Sequence, residues 1–529
     1  MRPTSETVDE VDEMEEEELD EEIQAQVNEW SSNSSDSFTI QLLRGGKVAA
    51  AFQPEFTYAI FGEQESIFGY QGLDISLTLR AHDLHPRLKF KASKTFPAQG
   101  EVRPTDIEEA LRDFLPAAAF EDNAPPEQVD FQPPGDKIHE YKRNGKTYQV
   151  WCASLADSRA RQILENMQIL ATMFIDGGTI LELEQDWTTA RWKLFLTYQV
   201  DQGASSGIPP YQLIGYGTSY RTFTFPDRLR KVQFDDFSPS SQPATHFLPL
   251  PDAKPNEMAN RPDFESPLEL PSRERLSQFL VLPPFHGVGH GEALYNTMFQ
   301  HLTAPSNVRE FTVEDPNEKF DDLRDFCDLL YLRRNVAEFR DLRVNPDVPE
   351  DKLSATQNIP TDLIVPGDLR KIVMREHKIM PRQFDRLVEM HTLSFIPPLN
   401  RSRSRITKKE KVKNENDRAY FFWRLYAKQR LYIFNADQLK QVEHSERVEK
   451  LESALDSVLE AYTQMIEKVE KREDMIESGE FEDNGIPSAD SSFSKRKRAV
   501  VADDEDEDGE PGAVQERSES NGHKKVRVD

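Results

Sequence analysis

The segment 275–295 constrains the fold of this chain more than any other stretch. It opens with an apolar run at 276–282, which predicts a buried strand. Pro283 and Pro284 end that strand, because proline cannot donate a hydrogen bond to a sheet ladder. A glycine-rich loop follows, and then a helix with its apolar residues on one face. This order of strand, loop and helix predicts an α/β unit.

The loop carries Gly287, Gly289 and Gly291 at alternate positions. A glycine loop that opens a helix presents free backbone N–H groups and the positive end of the helix dipole, which together bind phosphate or pyrophosphate. The spacing matches neither the Walker loop nor the G-x-G-x-x-G dinucleotide fingerprint. A plain tight turn would account for one or two of these glycines but not for three.

Two further sequence patterns could suggest a phosphate site or a metal site, but both have structural explanations. A Gly-Lys-Thr tripeptide occurs at 145–147, but Glu140 stands where a Walker loop has its upstream glycine, which favours a charged turn between strands. His286 and His290 are four residues apart, as zinc ligands often are. Because glycines separate them and no third ligand is evident, no metal site is predicted.

A carboxylate ends the next predicted strand, at 308–313. Asp315 is interpreted as a helix N-cap, Pro316 as the first helical residue and Glu318 as part of a capping box. Glu314 has no such structural role. A carboxylate at this position could accept a proton as a general base. An exposed strand-end glutamate without function is the alternative.

Other elements are predicted along the chain. Strands are predicted at 38–43, 75–80, 148–152, 192–199 and 211–216, and a short helix at 106–114. The segment 227–271 is dense in proline, serine and aspartate and predicts a long insert. A helical apolar stripe comprises Leu451, Leu455, Val458, Tyr462, Met465 and Val469. We expect it to pack against its own domain, with a partner-binding helix as the alternative.

Composition narrows the class of protein. The net charge of −29 disfavours direct binding of nucleic acid and fits a basic protein partner. Two cysteines exclude a disulfide scaffold and indicate a reducing compartment. No apolar stretch reaches the roughly 18 residues that a membrane span needs, and no signal peptide is evident. A soluble protein of the cytosol, the nucleus or both is expected.

Both ends of the chain are predicted to be disordered. The first two dozen residues include four consecutive glutamates at 15–18 and cannot form a core. After about residue 475 the chain is again of low complexity, with an acidic run at 503–508 and a basic cluster at 495–498. That basic cluster could be a nuclear import signal or a merely solvated segment.

The glycine loop, His286-Gly-Val-Gly289-His-Gly291, resembles the acetyl-CoA motif of the GNAT acetyltransferases, although histidine takes its first position. In that family the preceding strand also pairs with the pantetheine arm. The cofactor contacts that the resemblance implies are Phe279, Leu280, Val281, His286, Gly287, Val288, Gly289, His290, Gly291, Glu292, Asn317 and Phe326.

Three segments, at 61–73, 277–291 and 314–326, resemble the catalytic subunit of the type B histone acetyltransferases. The resemblance implies that Glu314 is the general base and that Asp176, in place of a glutamate, is a possible auxiliary base. It also implies a peptide groove formed by Glu63, Gln64, Glu65, Trp192, Tyr220, Arg221 and Thr222.

The same resemblance implies a mixed α+β fold with a GNAT core and disordered acidic tails. The implied parts are a tail at 1–36, an N-terminal mixed α/β domain at 37–150, the core at 151–335 with an insert at 228–272, a helical domain at 336–475 and a tail at 476–529. The implied reaction is acetylation of the N-terminal tail of newly made histone H4 by acetyl-CoA. A WD40 propeller histone-binding subunit would be the partner, in nucleus and cytoplasm. A GNAT enzyme with another amine acceptor and a non-catalytic histone-binding scaffold are the alternatives.

Overall fold

The computed structural model describes residues 27–100, 102–121, 129–183, 186–203, 207–224, 267–353, 358–406 and 414–479. The acidic run at 15–18, most of the predicted insert at 228–272 and the basic cluster at 495–498 lie outside these ranges. Within them, no helix combines the length and the apolar character that crossing a membrane requires.

Eight short strands build the N-terminal region. They are β1 Ser31–Asn33, β2 Phe38–Arg44, β3 Lys47–Phe52, β4 Ser66–Phe68, β5 Tyr70–Gln71, β6 Asp74–Arg80, β7 Pro86–Lys91 and β8 Lys94–Thr95. Four of them form a sheet in the order β3-β2-β6-β7, in which β2 and β6 are parallel. Alternate residues of β2 and β6 are buried, so one face of this sheet lies in the core. Because β1 lies within 1–36, regular structure begins earlier than predicted.

A six-stranded sheet forms the centre of the molecule. Its strands are β9 Asp136–Arg143, β10 Lys146–Ser154, β11 Trp192–Val200, β12 Tyr211–Phe223, β13 Ser272–Val281 and β14 Val308–Val313. Their order is β14-β13-β12-β11-β10-β9, antiparallel except for the parallel pair β13 and β14. β10 crosses the boundary predicted at residue 150, so the N-terminal region and the core share this sheet. The turn between β9 and β10 consists of Asn144 and Gly145, so the predicted turn at 145–147 overlaps it at Gly145 and otherwise lies in the start of β10.

The strands β11 and β12, in the middle of this sheet, are buried on both faces over most of their length. In β11, Leu194 and Leu196 point into a core shared with the N-terminal region, whereas Phe195 points into a core shared with the C-terminal helices. Leu213 and Ile214 divide in the same way in β12. The period of two along each strand therefore joins two cores through one sheet.

Sixteen helices complete the regular structure of the described residues. They are α1 Ser34–Ser37, α2 Tyr58–Phe61, α3 Ile107–Arg112, α4 Ser158–Met167, α5 Ile169–Phe174, α6 Asp186–Thr189, α7 His290–Thr303, α8 Glu318–Asn335, α9 Ala337–Arg340, α10 Thr361–Ile364, α11 Gly367–His377, α12 Pro381–Leu393, α13 Arg403–Ile406, α14 Glu415–Phe434, α15 Ala436–Leu439 and α16 His444–Glu477. Short 3-10 turns occur at Ala117–Phe120, Pro267–Glu269, Pro283–Phe285, Glu350–Lys352 and Pro398–Asn400. The mixed α+β architecture with a helical C-terminal region is confirmed.

The long helix α16 packs against its own domain, as predicted. Leu455, Tyr462, Met465 and Val469 of its apolar stripe are buried in the core beneath the central sheet. It ends two residues beyond the boundary predicted at 475, and it passes close to the start of α7. The helix therefore brings charged residues from the end of the described chain to the glycine loop.

Candidate active site

The strands β13 and β14 are paired at one end and separate at the other. Their register runs from Ser272 opposite Val308 to Leu276 opposite Val313. The last link is the Glu314 N–H, which donates to the Leu276 carbonyl at 2.9 Å. β13 then continues to Val281 without a partner on that side among the described residues, which leaves a wedge-shaped cleft with strand backbone along one wall.

A β-bulge bends β13 where the cleft opens. The register of β12 with β13 shifts between Gly217 and Ser219, and the hydroxyl of Thr218 accepts a hydrogen bond from the Gln278 N–H at 3.0 Å. Such a bulge re-aims the backbone groups that follow it. A Cβ at Gly217 would lie 2.6 Å from the sulfur of Met298 on α7, so a larger residue there would displace this methionine side chain.

The predicted strand contacts occupy this wall. The Phe279 ring packs edge-on against Phe320 at 5.2 Å, and the Leu280 side chain is buried in the core. His286 contacts the Val281 carbonyl through Nε2 at 2.6 Å. The side chains of these strand residues are thus used for packing, and their backbone is what the strand can offer to a ligand.

The glycine loop ends at the N-terminus of α7. Gly287 and Gly289 have φ angles of 78° and 85°, in the left-handed region that favours glycine. Gly289 is the N-cap, and no side chain caps the helix there. The N–H groups of the first turn, His290 to Glu292, therefore face outward for an anion. Val288, at the tip of the loop, is 42% exposed.

The remaining loop residues fix α7 to its neighbours. A Cβ on Gly291 would lie 3.4 Å from Leu323 of α8, so glycine allows close packing there. His290 is buried and its Nδ1 is 2.9 Å from the Tyr141 hydroxyl. Burial, together with the charges of Arg143 and Lys146, lowers the pKa of His290 to about 4, so its ring is neutral at pH 7.

Two arginines that the sequence analysis did not identify lie beside the loop. The Arg143 Nε is 3.6 Å from the position of a Cβ on Gly289. Arg472 of α16 forms an ion pair with Glu292 at 2.8 Å and lies 5.5 Å from the centre of the Phe326 ring. Both are far from the loop in sequence, and no local pattern connects them to it.

Glu314 lies at the open end of the strand pair and is held by three side chains. The Tyr220 hydroxyl donates to its Oε1 at 2.8 Å, and the Ser277 hydroxyl donates to its Oε2 at 2.8 Å. Arg275 is 3.4 Å from Oε1. The carboxylate remains 34% exposed, so a substrate could reach it.

Aromatic rings form the wall beside this carboxylate. Trp192 and Tyr220 face each other across β11 and β12, with ring centres 4.7 Å apart. Burial and the hydrogen bond to Glu314 raise the pKa of Tyr220 to about 12. The tyrosine is therefore a neutral donor at physiological pH and is not itself a base.

The interpretation of the helix that follows Glu314 was wrong. Asp315 has a φ of 34° and turns the chain away from the strand, so it does not cap the helix. Asn317 is the N-cap instead, since its side chain accepts a hydrogen bond from the Phe320 N–H at 2.9 Å. The helix begins at Glu318, which leaves Pro316 outside it and excludes the predicted capping box.

The predicted peptide residues divide between surface and interior. Glu63 and Gln64 are exposed in the turn between α2 and β4. Glu65 is half-buried and accepts hydrogen bonds from the backbone and hydroxyl of Thr57, so it stabilises that turn. Arg221 is buried and paired with Glu274, on the opposite face of β12 from Tyr220.

The last two predicted residues lie on β12 and beside α2. Thr222, near the end of β12, is half-buried. Asp176 is exposed, and its carboxylate accepts a hydrogen bond from the Tyr58 hydroxyl at 3.0 Å. An ion pair of 2.6 Å between Lys319 and Glu55 ties the N-terminal region to the start of α8, next to Glu314.

Among the described residues, no group of three or more histidine, cysteine, aspartate or glutamate side chains is placed to hold a metal ion. What the cleft does offer is a helix start that no side chain caps, a strand edge and a carboxylate. These features lie within one strand–loop–helix–strand unit, the GNAT core that the sequence indicated. The fold and this site define an acetyltransferase.

Comparison with known proteins specifies the family. A family model described as "Histone acetyl transferase HAT1 N-terminus" matches residues 30–176. The chain is 36% identical to the histone acetyltransferase type B catalytic subunit of Aspergillus oryzae, over 91% of this chain and 96% of the relative. The corresponding subunit of Aspergillus fumigatus is 33% identical, over 90% of this chain and 86% of the relative. That of Gibberella zeae is 35% identical, over 84% and 92%. The chain belongs to the family of type B histone acetyltransferase catalytic subunits.

Proposed function

We propose that this histone acetyltransferase transfers the acetyl group of acetyl-CoA to lysine side chains in the N-terminal tail of newly synthesised histone H4, ahead of chromatin assembly. The position of Glu314 is the observation that carries the proposal. Its carboxylate stands where β13 and β14 separate, one strand away from the glycine loop, and two hydroxyl groups hold it in place.

Acetyl-CoA supplies an activated thioester, and the cleft has groups that fit it. The uncapped start of α7 suits the pyrophosphate, and the free edge of β13 suits the amide-containing pantetheine arm. The substrate lysine nitrogen forms a bond to the thioester carbonyl carbon, and the carbon–sulfur bond breaks. One ammonium proton passes to Glu314 and then to solvent. The second proton that the nitrogen loses goes to the departing thiolate.

The acceptor side of the cleft fits a basic peptide. Glu63 is exposed in the turn that the resemblance assigns to the peptide groove, and the whole chain carries a net charge of −29. Exposed carboxylates attract a tail rich in lysine and arginine. Asp176 could assist as an auxiliary base, although its carboxylate is engaged by Tyr58. The relatives are named catalytic subunits, which supports the presence of a further subunit. We propose that this partner is a WD40 propeller that binds histones, and that the enzyme acts in both nucleus and cytoplasm.

The test is transfer of radiolabelled acetate from acetyl-CoA to a mixture of free core histones, with the labelled lysines located by mass spectrometry. We expect label chiefly on the H4 tail, and none with Glu314→Gln under the same conditions. Label on another histone, or on a small amine in preference to H4, would replace the proposed acceptor. Acetyl-CoA binding without any transfer would favour the scaffold alternative.

A further inference from the structure

A tight loop at 175–181 follows α5 and carries Asp176. The Gly178 N–H donates to the Ile175 carbonyl at 2.7 Å, and a Cβ on Gly178 would lie 2.4 Å from the carbonyl oxygen of Ala171. The loop therefore packs closely against the end of α5. Asp176 is exposed on its outer surface, where an acceptor peptide could contact it.

Tyr58 holds one end of this loop. Its hydroxyl donates to the Asp176 Oδ1 at 3.0 Å and accepts from the Gly177 N–H at 2.7 Å, so both hydrogen-bonding functions of the hydroxyl serve the loop. Tyr58 is half-buried and opens α2, which leads into the turn that carries Glu63. The resemblance assigns that turn to the peptide groove. One hydroxyl thus fixes the loop to the peptide side of the N-terminal region.

Gln278 of β13 holds the other end of the loop. Its Nε2 donates to the Thr179 carbonyl at 2.8 Å, and the residue is only 5% exposed. Its own N–H is fixed at the β-bulge by the hydroxyl of Thr218. The residue before it, Ser277, donates to Glu314. The strand that positions the carboxylate therefore also positions the loop.

The loop thus connects the N-terminal region to the strand beside Glu314. Acetyl transfer requires the lysine nitrogen to lie close to both the thioester and the base, and a small misplacement lowers the rate. The peptide that carries the lysine must therefore be aligned as well. A loop that is held at both ends, by Tyr58 and by Gln278, can supply that alignment.

We propose that Tyr58 and Gln278 are positioning residues for the acceptor peptide, because they hold the 175–181 loop in place relative to Glu314; this rests on the proposed histone tail as the acceptor. Neither residue takes part in proton transfer. The Asp176 carboxylate anchors the loop to Tyr58, a role that requires an oxygen acceptor but no basicity. Binding of acetyl-CoA does not depend on these contacts, since none of them belongs to the glycine loop.

The test is steady-state kinetics of the full-length enzyme, with an H4 tail peptide and acetyl-CoA varied in separate series. Tyr58→Phe keeps the ring and removes both hydrogen bonds to the loop, so kcat/KM for the peptide should fall by about three- to tenfold, mainly through KM. The KM for acetyl-CoA should stay within about twofold of the wild-type value. Gln278→Met keeps the length of the side chain but loses the bond to the Thr179 carbonyl, and it should act in the same direction. Because Gln278 is buried and its variant could lose stability, Tyr58→Phe decides the test.

Variants of Asp176 separate anchoring from proton transfer. Asp176→Asn keeps an oxygen that accepts from the Tyr58 hydroxyl, so its peptide kinetics should stay within about twofold of the wild type. Asp176→Ala removes that oxygen and should resemble Tyr58→Phe. The matched control is Tyr211→Phe, which removes a hydroxyl bonded to Gln132 at 3.1 Å, at the opposite end of β12 from Tyr220. This control should keep the wild-type KM for the peptide.

Unchanged peptide kinetics in Tyr58→Phe would overturn the assignment. So would an equal rise of the KM values for peptide and acetyl-CoA, since that result indicates general damage to the cleft. A fall in kcat of about a hundredfold or more in Asp176→Asn would make Asp176 a base and not an anchor. These three results leave the proposed function in place. A wild type that transfers no acetyl group to the H4 peptide would instead contradict the proposed function itself.

Discussion

The two sides of the cleft use different chemical groups. On the loop side, the ligand meets backbone N–H groups at the start of α7 and the free edge of β13, and the side chains there mainly pack or brace. On the acceptor side, the working groups are side chains, with Glu314 held by Tyr220 and Ser277. Substitutions on the loop side should therefore act through conformation and binding. Those on the acceptor side should act through proton transfer and turnover.

The largest effect is expected on the acceptor side, from Glu314→Gln. The glutamine keeps the shape of the side chain but removes its basicity, so kcat should fall by roughly a hundredfold to ten-thousandfold. Affinity for acetyl-CoA should persist, because the carboxylate lies outside the loop. Steady-state kinetics on an H4 tail peptide, together with calorimetry for acetyl-CoA, would check both values.

Asp315→Asn is the matched control for that substitution. It makes the same chemical change one residue later, and asparagine tolerates the left-handed backbone found there. Its kcat should stay near the wild-type value. Glu314→Gln should also recover part of its rate at high pH, where more of the substrate lysine is neutral. A near-normal kcat for Glu314→Gln at pH 7 would mean that the base is elsewhere, with Asp176 the next candidate.

The next largest effect is expected on the loop side, from Gly289→Val. A β-branched residue is strained at a φ of 85°, so the loop should rearrange. The N–H groups in the first turn of α7 should then no longer point toward the ligand. Affinity for acetyl-CoA should weaken by roughly ten- to a hundredfold. Gly46→Val, in the β2–β3 turn at a φ of 73°, carries similar backbone strain remote from the loop and should bind normally. Calorimetry that finds equal affinities for the two variants would contradict the role of the loop.

The two sides of the cleft also differ in how much of their structure could be predicted from the sequence. The loop side is local, because its strand, its glycines and its helix are consecutive, and their order was sufficient to predict a glycine turn at the start of a helix. Glu314 could also be singled out, since it ends a strand. The cap was assigned wrongly because the left-handed turn at Asp315 moves the helix start to Glu318, and a sequence does not show φ directly.

The residues of the acceptor side are far apart in the sequence, so most of their arrangement could not be predicted from it. Tyr220 and Ser277 meet Glu314 only because β12, β13 and β14 are neighbours in the sheet. The resemblance placed Arg221 beside Tyr220 in the peptide groove, yet the period of two along a strand sends it to the opposite face, where it pairs with Glu274. That alternation was readable from the sequence and was the signal available to separate the two residues.

A smaller effect is expected from the hydroxyl groups that hold the base. Tyr220→Phe removes one donor to Glu314 without changing the ring that faces Trp192, so kcat should fall by roughly tenfold. Affinity for acetyl-CoA should stay near the wild-type value, because neither hydroxyl group lies in the glycine loop. Ser277→Ala should lower kcat in the same way. A loss of acetyl-CoA affinity together with kcat would indicate a structural role for the hydroxyl rather than positioning of the base.

The smallest expected effect is the change of the peptide KM with salt concentration. It tests the difference between the two sides of the cleft most directly. Glu63 is exposed in the turn between α2 and β4, whereas the carboxylate of Glu65 is engaged with Thr57, so Glu63 is the acidic group of this turn that can attract a basic tail. Surface charge pairs are screened as ionic strength rises, so the KM for an H4 tail peptide should increase by about two- to fivefold between low and physiological salt. Glu63→Gln should raise that KM at low salt and flatten its salt dependence, while the KM for acetyl-CoA follows the wild type at every salt concentration. If Glu63→Gln changes the salt response of both substrates alike, the charge acts through the field of the whole molecule and not at the acceptor side.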